Sequence, residues 1–175
     1  MKPIPFTVKA KLAIREITLY AMLGAMTFGA KYVMSWLPNI EPVSLMVMLF
    51  AVLFGIKCLY PVYIYVMLEI LFYGFGLWNV NYLYIWLILA VAAYLMRKTT
   101  TPLAWALLSG CFGLFFGALC APVDVVIGGF GYAVAKWVSG IPFDLAHGAG
   151  NFVIALLLFN PMRTLLQRLH SRLLP

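Results

Sequence analysis

Residues 122–138 read PVDVVIGGFGYAVAKWV. Whether this stretch crosses a membrane decides the fold. As a span it would be a seventh, and it would carry the last part of the chain to the opposite side. The charges on either side argue against that. Apolar runs at 13–36, 43–56, 59–76, 82–96, 102–121 and 142–160 are six candidate transmembrane helices. A span needs about 20 residues to cross a ~30 Å hydrocarbon core. Lys2, Lys9, Lys11 and Arg15 precede the first run, Lys57 divides the second from the third, Arg97 and Lys98 follow the fourth, and Arg163, Arg168 and Arg172 follow the sixth. Ten of the twelve Lys/Arg residues therefore fall on alternate connections, with Lys31 and Lys136 as the exceptions. The positive-inside rule then predicts six spans with both termini cytoplasmic. A seventh would move Arg163, Arg168 and Arg172 outside. The expectation for 122–138 is an outer loop with a short amphipathic or re-entrant helix hinged at Gly128-Gly129.

Composition agrees. The 175 residues are 65% hydrophobic and only 10% charged, with mean hydropathy +1.02. A soluble domain of this length cannot hide that much apolar surface, so the bilayer is the expected solvent and one all-α membrane domain, 1–175, is the expected unit. The net charge of +7 follows from topology and not from nucleic-acid binding. The first run is too long for a signal-peptide core and contains Glu16 and Lys31, so it reads as a retained helix. Cys58, Cys111 and Cys120 lack any metal-ligand spacing and read as apolar filler.

Breakers mark the connections. Pro38 and Pro42 bracket the first outer turn; Pro61, Pro102 and Pro142 stand at or near helix starts, and Pro161 follows the last span. Runs two and four look short and are expected to extend to about 42–59 and 81–97. Leu165, Leu166, Leu169, Leu173 and Leu174 beside the terminal arginines read as an amphipathic tail on the inner leaflet.

The outward connections, 37–42, 77–81 and 122–141, hold most of the unusual polar residues. Asn39 and Glu41 lie in the first, held by its prolines, either as a solvated turn or as ligand contacts. Trp78, Asn79, Asn81, Tyr82 and Tyr84 at the second fit an interfacial aromatic belt and equally a flat, heteroatom-rich ligand. Asp144, His147 and Asn151 are spaced i, i+3, i+7, so they share one helix face near its outer end. They read as a cavity lining, or as a helix cap and a packing histidine. A metal site is not indicated, since two ligands without a third are not diagnostic. Glu69 inside the third span needs a partner. At ~1.5 Å per residue, Lys31 and Glu69 lie about 7–8 Å and about 10 Å from their outer ends, close enough in depth for a structural ion pair. Two small-residue seams stand out: Ala21, Ala25, Gly29 and Gly110, Gly113, Gly117, extended by Ala121. One suits internal packing and the other an outside partner.

Catalytic and nucleotide motifs are absent: no Walker A loop, HExxH or GxSxG occurs. The chain is expected not to be an enzyme and to borrow energy. The rival is a small intramembrane enzyme or scaffold with Asp144 and His147 as an acid–base pair.

The size, the six-span pattern, Ala21-xxx-Ala25, LPNIEPVSL (37–45), LEILFYGFGLWNVNYLYIW (68–86) and GIPFDLAHGAGNF (140–152) together resemble the substrate-binding S components of energy-coupling factor (ECF) vitamin transporters. The likeness covers nearly the whole chain and is nearest to the cobalamin-binding members. It implies a multi-pass subunit of a bacterial plasma membrane that captures a vitamin outside and delivers it through an ATP-driven module. Cobalamin is favoured; riboflavin, folate or a queuosine precursor are alternatives. The implied partners are an ECF transmembrane coupling subunit, docked on Ala21 and Ala25, and two cytoplasmic ATPase subunits that use the ATP. No cofactor of its own is implied. The implied substrate-binding residues are Asn39, Glu41, Asn81, Tyr82, Tyr84, Asp124, Lys136, Asp144, His147 and Asn151. The loaded subunit is implied to topple in the membrane for release inside.

Overall fold

The computed structural model describes residues 6–37 and 39–173. Lys2, Pro38 and Leu174, and the side chains of Lys9, Lys11 and Leu173, lie outside the described residues. The described chain is helical and contains no strand. It comprises α1 (Phe6–Val33), α2 (Val43–Phe54), a 3-10 turn (Gly55–Cys58), α3 (Leu59–Tyr73), α4 (Leu77–Leu95), α5 (Pro102–Leu114) and α6 (Phe116–Leu173). Three stretches are long and apolar enough to cross a membrane: Val43–Tyr73, Leu77–Leu95 and Pro102–Arg172. The first run of the sequence is not among them, because Glu16 and Lys31 dilute its hydropathy. Large apolar side chains are exposed around the bundle, Val126, Phe130, Ile56 and Leu71 among them. Such a surface is compatible with a membrane protein.

Two of these stretches double back on themselves. Glu41 before α2 and Glu69 near the end of α3 both reach Lys31, so the chain descends and returns between them. Gly55, at φ 57°, ψ −131°, makes the break in a backbone region that glycine enters without a Cβ penalty. The second reversal lies within α6. Gly117 and Asp144 would be about 40 Å apart in a straight helix, yet the Gly117 N–H meets the Asp144 carboxylate at 3.1 Å. Moving toward the turn, Asp124 pairs with Lys136. Moving away from it, Trp105 stacks on Phe159 with ring centroids 4.1 Å apart, and Arg163 Nη1 donates to the Thr99 carbonyl at 2.9 Å. Residues 102–128 and 130–173 are thus the two arms of one long antiparallel hairpin. Gly129 is its turn, at φ 80°, ψ 174°, a region almost exclusive to glycine.

This corrects the reading of 122–138. The stretch is not a loop with a short helix; both flanks of Gly129 are helix, continuous with the elements on either side. Pro122, Pro142 and Pro161 are interior helix residues; Pro142 does not open a helix and Pro161 does not follow one. Prolines survive in apolar helices when neighbours re-satisfy the freed backbone groups. The arms approach closely because Gly113 lies on Gly148. A Cβ added at Gly113 would come within 2.8 Å of the Gly148 nitrogen. The Gly110, Gly113, Gly117 seam is therefore the internal one. Ala21 and Ala25 are exposed, and a Cβ at Gly29 would meet nothing within 4 Å, so the α1 seam points outward.

A second correction concerns α4. It begins at Leu77, where Gly76 N–H donates to Asn79 Oδ1 at 2.7 Å. Asn79, Asn81 and Tyr82 are helix residues, and the connection shrinks to 74–76. Run two also ends early: α2 stops at Phe54 and the 3-10 turn leads into α3. Residues Val43–Ala51 of α2 are all buried, so this helix is the centre of the bundle. Trp86, Tyr65, Phe50 and Phe159 pack in the same core.

The bundle has two chemically distinct ends. At one, Lys57 meets Glu16 at 2.8 Å, Arg163 bonds the 97–99 turn, and His170 lies against Phe54. The other gathers Lys31, Glu41, Glu69, Tyr82 and Asp144 around a cleft.

Candidate functional site

Lys31 is the hub of the polar end. Its Nζ donates to Glu69 Oε2 at 3.0 Å, to Tyr65 Oη at 3.1 Å and to Tyr82 Oη at 3.2 Å. Glu41 Oε2 lies 3.6 Å away. The partners come from α3, α4 and the 37–42 loop, so one ammonium ties four parts of the chain together. Tyr65 and Glu69 are one helical turn apart and present both oxygens to the same point. The ion pair expected between Lys31 and Glu69 is present at that 3.0 Å distance. Glu41, Tyr65 and Tyr82 are additional partners that depth counting did not reveal. Asn39 has a left-handed φ of 58°, a conformation asparagine tolerates, two residues before Glu41.

A cleft of about 280 Å³ opens beside Lys31, lined by Ser35, Asn39, Glu41, Tyr82, Phe116, Phe143, Asp144 and His147. Burial pushes the Glu41 carboxyl up from its ordinary range, and the Lys31 charge opposes it. The Asp144 carboxylate accepts the Gly117 N–H with both oxygens, at 3.1 and 3.2 Å. It thereby satisfies a free amide at the start of α6 from across the hairpin. It does not cap the helix it belongs to. His147 is buried edge-on to Phe116, with centroids 4.9 Å apart, and its Nε2 has no hydrogen-bond partner. Asp144 is thus engaged with backbone and not with His147, which weakens an acid–base pair between them.

A second cleft, about 620 Å³, adjoins the first, with Phe143 in both walls. It is lined by Asn81, Asp124 and Lys136 together with Trp78, Trp137 and Cys120. Lys136 Nζ meets Asp124 Oδ1 at 2.5 Å, spanning the two arms near their turn.

The ten residues expected to bind substrate therefore divide. Asn39, Glu41, Tyr82, Asp144 and His147 share the first cleft, and Asn81, Asp124 and Lys136 share the second. Tyr84 and Asn151 line neither. The Tyr84 hydroxyl lies 2.6 Å from the Leu119 carbonyl it donates to and 3.0 Å from Asn81 Oδ1, joining α4 to the hairpin. Asn151 Nδ2 donates to Ser44 Oγ at 3.0 Å, joining α6 to α2. Phe116, Phe143 and Trp137 complete the walls and were missed. Phe143 precedes Asp144 and Trp137 follows Lys136, so proximity to polar positions was their one sequence signal, and Phe116 had none. Among the described residues no three His, Cys, Asp or Glu side chains cluster to hold a metal ion.

Charge is distributed unevenly between the two ends. Of the five carboxylates in the sequence, only Glu16 lies at the basic end; Glu41, Glu69, Asp124 and Asp144 surround or underlie the clefts. Comparison with family models, with curated proteins and with solved structures finds no match to this chain.

Proposed function

We propose that this chain is the substrate-capture subunit of an ECF-type importer. In this reading six segments cross the membrane: α1, α2, α3, α4 and the two arms of the hairpin. Both termini and the basic end face the cytoplasm, and the paired clefts open outward. A vitamin, cobalamin in first place, enters the clefts and is passed to a coupling subunit driven by two ATPases. The observation that carries the reading is the pair of adjoining clefts at one end of an apolar bundle whose opposite end is basic. About 280 and 620 Å³ fall together within the range of small-molecule sites. The seam of exposed Ala21 and Ala25 with half-buried Gly29 gives a partner helix a place for close approach. The purified chain should be stabilised against heat by one of cobalamin, cobinamide, riboflavin, folate, thiamine or a queuosine precursor. A flat response to all six contradicts the reading.

A further inference from the structure

The first cleft has a sign. Three carboxylates, Glu41, Glu69 and Asp144, stand around one ammonium, Lys31. That ammonium is already saturated by Glu69, Tyr65 and Tyr82. Asp144 receives the Gly117 N–H and a side-chain hydrogen bond from Trp137, both neutral donors that leave its charge unpaired. Two further polar atoms are buried without a partner. His147, 5% exposed and lining the cleft, leaves Nε2 unpaired. Glu69, 3% exposed, leaves Oε1 unpaired just beneath. A buried polar atom without a partner is costly; carboxylate oxygens only accept, and His147 Nε2 accepts when its ring proton sits on Nδ1, so a solute entering beside Glu41 and Asp144 gains most by bringing donors. The neighbouring cleft contrasts with this, since Lys136 cancels Asp124 there.

We propose that the cleft walled by Ser35, Glu41, Asp144 and His147 selects solutes presenting an ammonium or a cluster of N–H donors, and turns away carboxylates and phosphates. The purpose of such a site rests on the capture reading; its sign rests on the charges alone. At about 280 Å³, it admits one ring or the donor-bearing end of a larger solute, with the remainder passing Phe143 into the second cleft. Among vitamin-like solutes this places folate, a dianion, last.

The sign is measurable without knowing the solute. In a chain with Cys111→Ser and Cys120→Ser, Ser35→Cys puts a thiol on the cleft wall. Its rates of modification by trimethylammonium-ethyl and by sulfonatoethyl methanethiosulfonate, each normalised to free 2-mercaptoethanol, compare a cation and an anion of similar size. A cleft of one sign raises local counter-ion concentration by ten-fold or more. The normalised cation-to-anion ratio should therefore exceed about 10. It should fall toward one when Glu41→Gln and Asp144→Asn are added. Met34→Cys, also on the wall, gives a second reading of the same ratio should the neutralised chain fail to fold. A ratio near one at both thiols overturns the proposal, as does a ratio that the neutralising substitutions leave unchanged. Because no transported solute takes part, such a failure leaves the capture reading standing. Failure to bind any vitamin leaves the sign standing.

Discussion

Lys31 and Glu69 were legible from the sequence because depth in a helix is simple arithmetic, and two opposite charges at one depth in an apolar span have few other partners. Glu41 was not legible as their third member. Its approach depends on the left-handed turn at Asn39, which no spacing reveals. The hub predicts strong coupling. Glu69→Gln should lower stability in detergent more than the double change with Lys31→Met does, with a coupling energy of about 0.5–3 kcal/mol. Additive losses in thermal denaturation would reject the pair. Glu41 adds a pH dependence. Burial raises its folded pKa, so the folded chain holds this proton more tightly than the unfolded chain does. Its contribution to stability is full below the ordinary glutamate value and is lost as pH rises through the folded value. The Tm of Glu41→Gln, taken relative to the parent, should therefore rise as the pH climbs upward from the ordinary glutamate value. A fall instead would mean that attraction to Lys31 outweighs burial.

At the scale of elements, the helical hairpin of 102–173 governs the site. It brings Asp144 to Gly117 and Lys136 to Asp124, and so supplies one wall of each cleft. Its arms were legible as the apolar runs 102–121 and 142–160, but their extension to a common turn was not. Gly128-Gly129 read as the hinge of a loop and Pro142 as a helix start, whereas only Gly129 departs from helical geometry. Breaker statistics come mostly from water-exposed helices; in an apolar bundle, neighbouring helices hold such residues in place. The hairpin's tolerance to substitution should differ from glycine to glycine. Gly113→Ala, which drives a methyl into the Gly148 backbone, should cost about 1–3 kcal/mol. Gly140→Ala, with open space around it, should change Tm little. Equal effects would show that the arms do not pack through this seam. The α1 seam predicts the opposite behaviour. If the capture proposal holds, Ala21→Leu with Ala25→Leu should leave Tm and solute binding intact while abolishing co-purification with the proposed coupling and ATPase subunits. Undiminished assembly would remove that seam from partner docking.

The whole molecule is a polarised bundle. Its basic end and its carboxylate-lined end follow the alternation of charged connections, and in the proposed reading that same alternation orients the chain. Positive charges on short connections favour the cytoplasmic side, which leaves the opposite end free for acidic and aromatic residues. Orientation is thus the claim on which capture from outside depends, and single cysteines report it directly. Ser35→Cys lies at the cleft, while Thr100→Cys and Ser171→Cys are exposed at the basic end. Each is placed in a chain lacking Cys111 and Cys120 and treated with a membrane-impermeant maleimide on intact cells, then after permeabilisation. Labelling of Ser35→Cys in intact cells, with Thr100→Cys and Ser171→Cys reacting only after permeabilisation, is the predicted result. Labelling of either basic-end cysteine in intact cells, with Ser35→Cys protected, would contradict the outward-facing cleft.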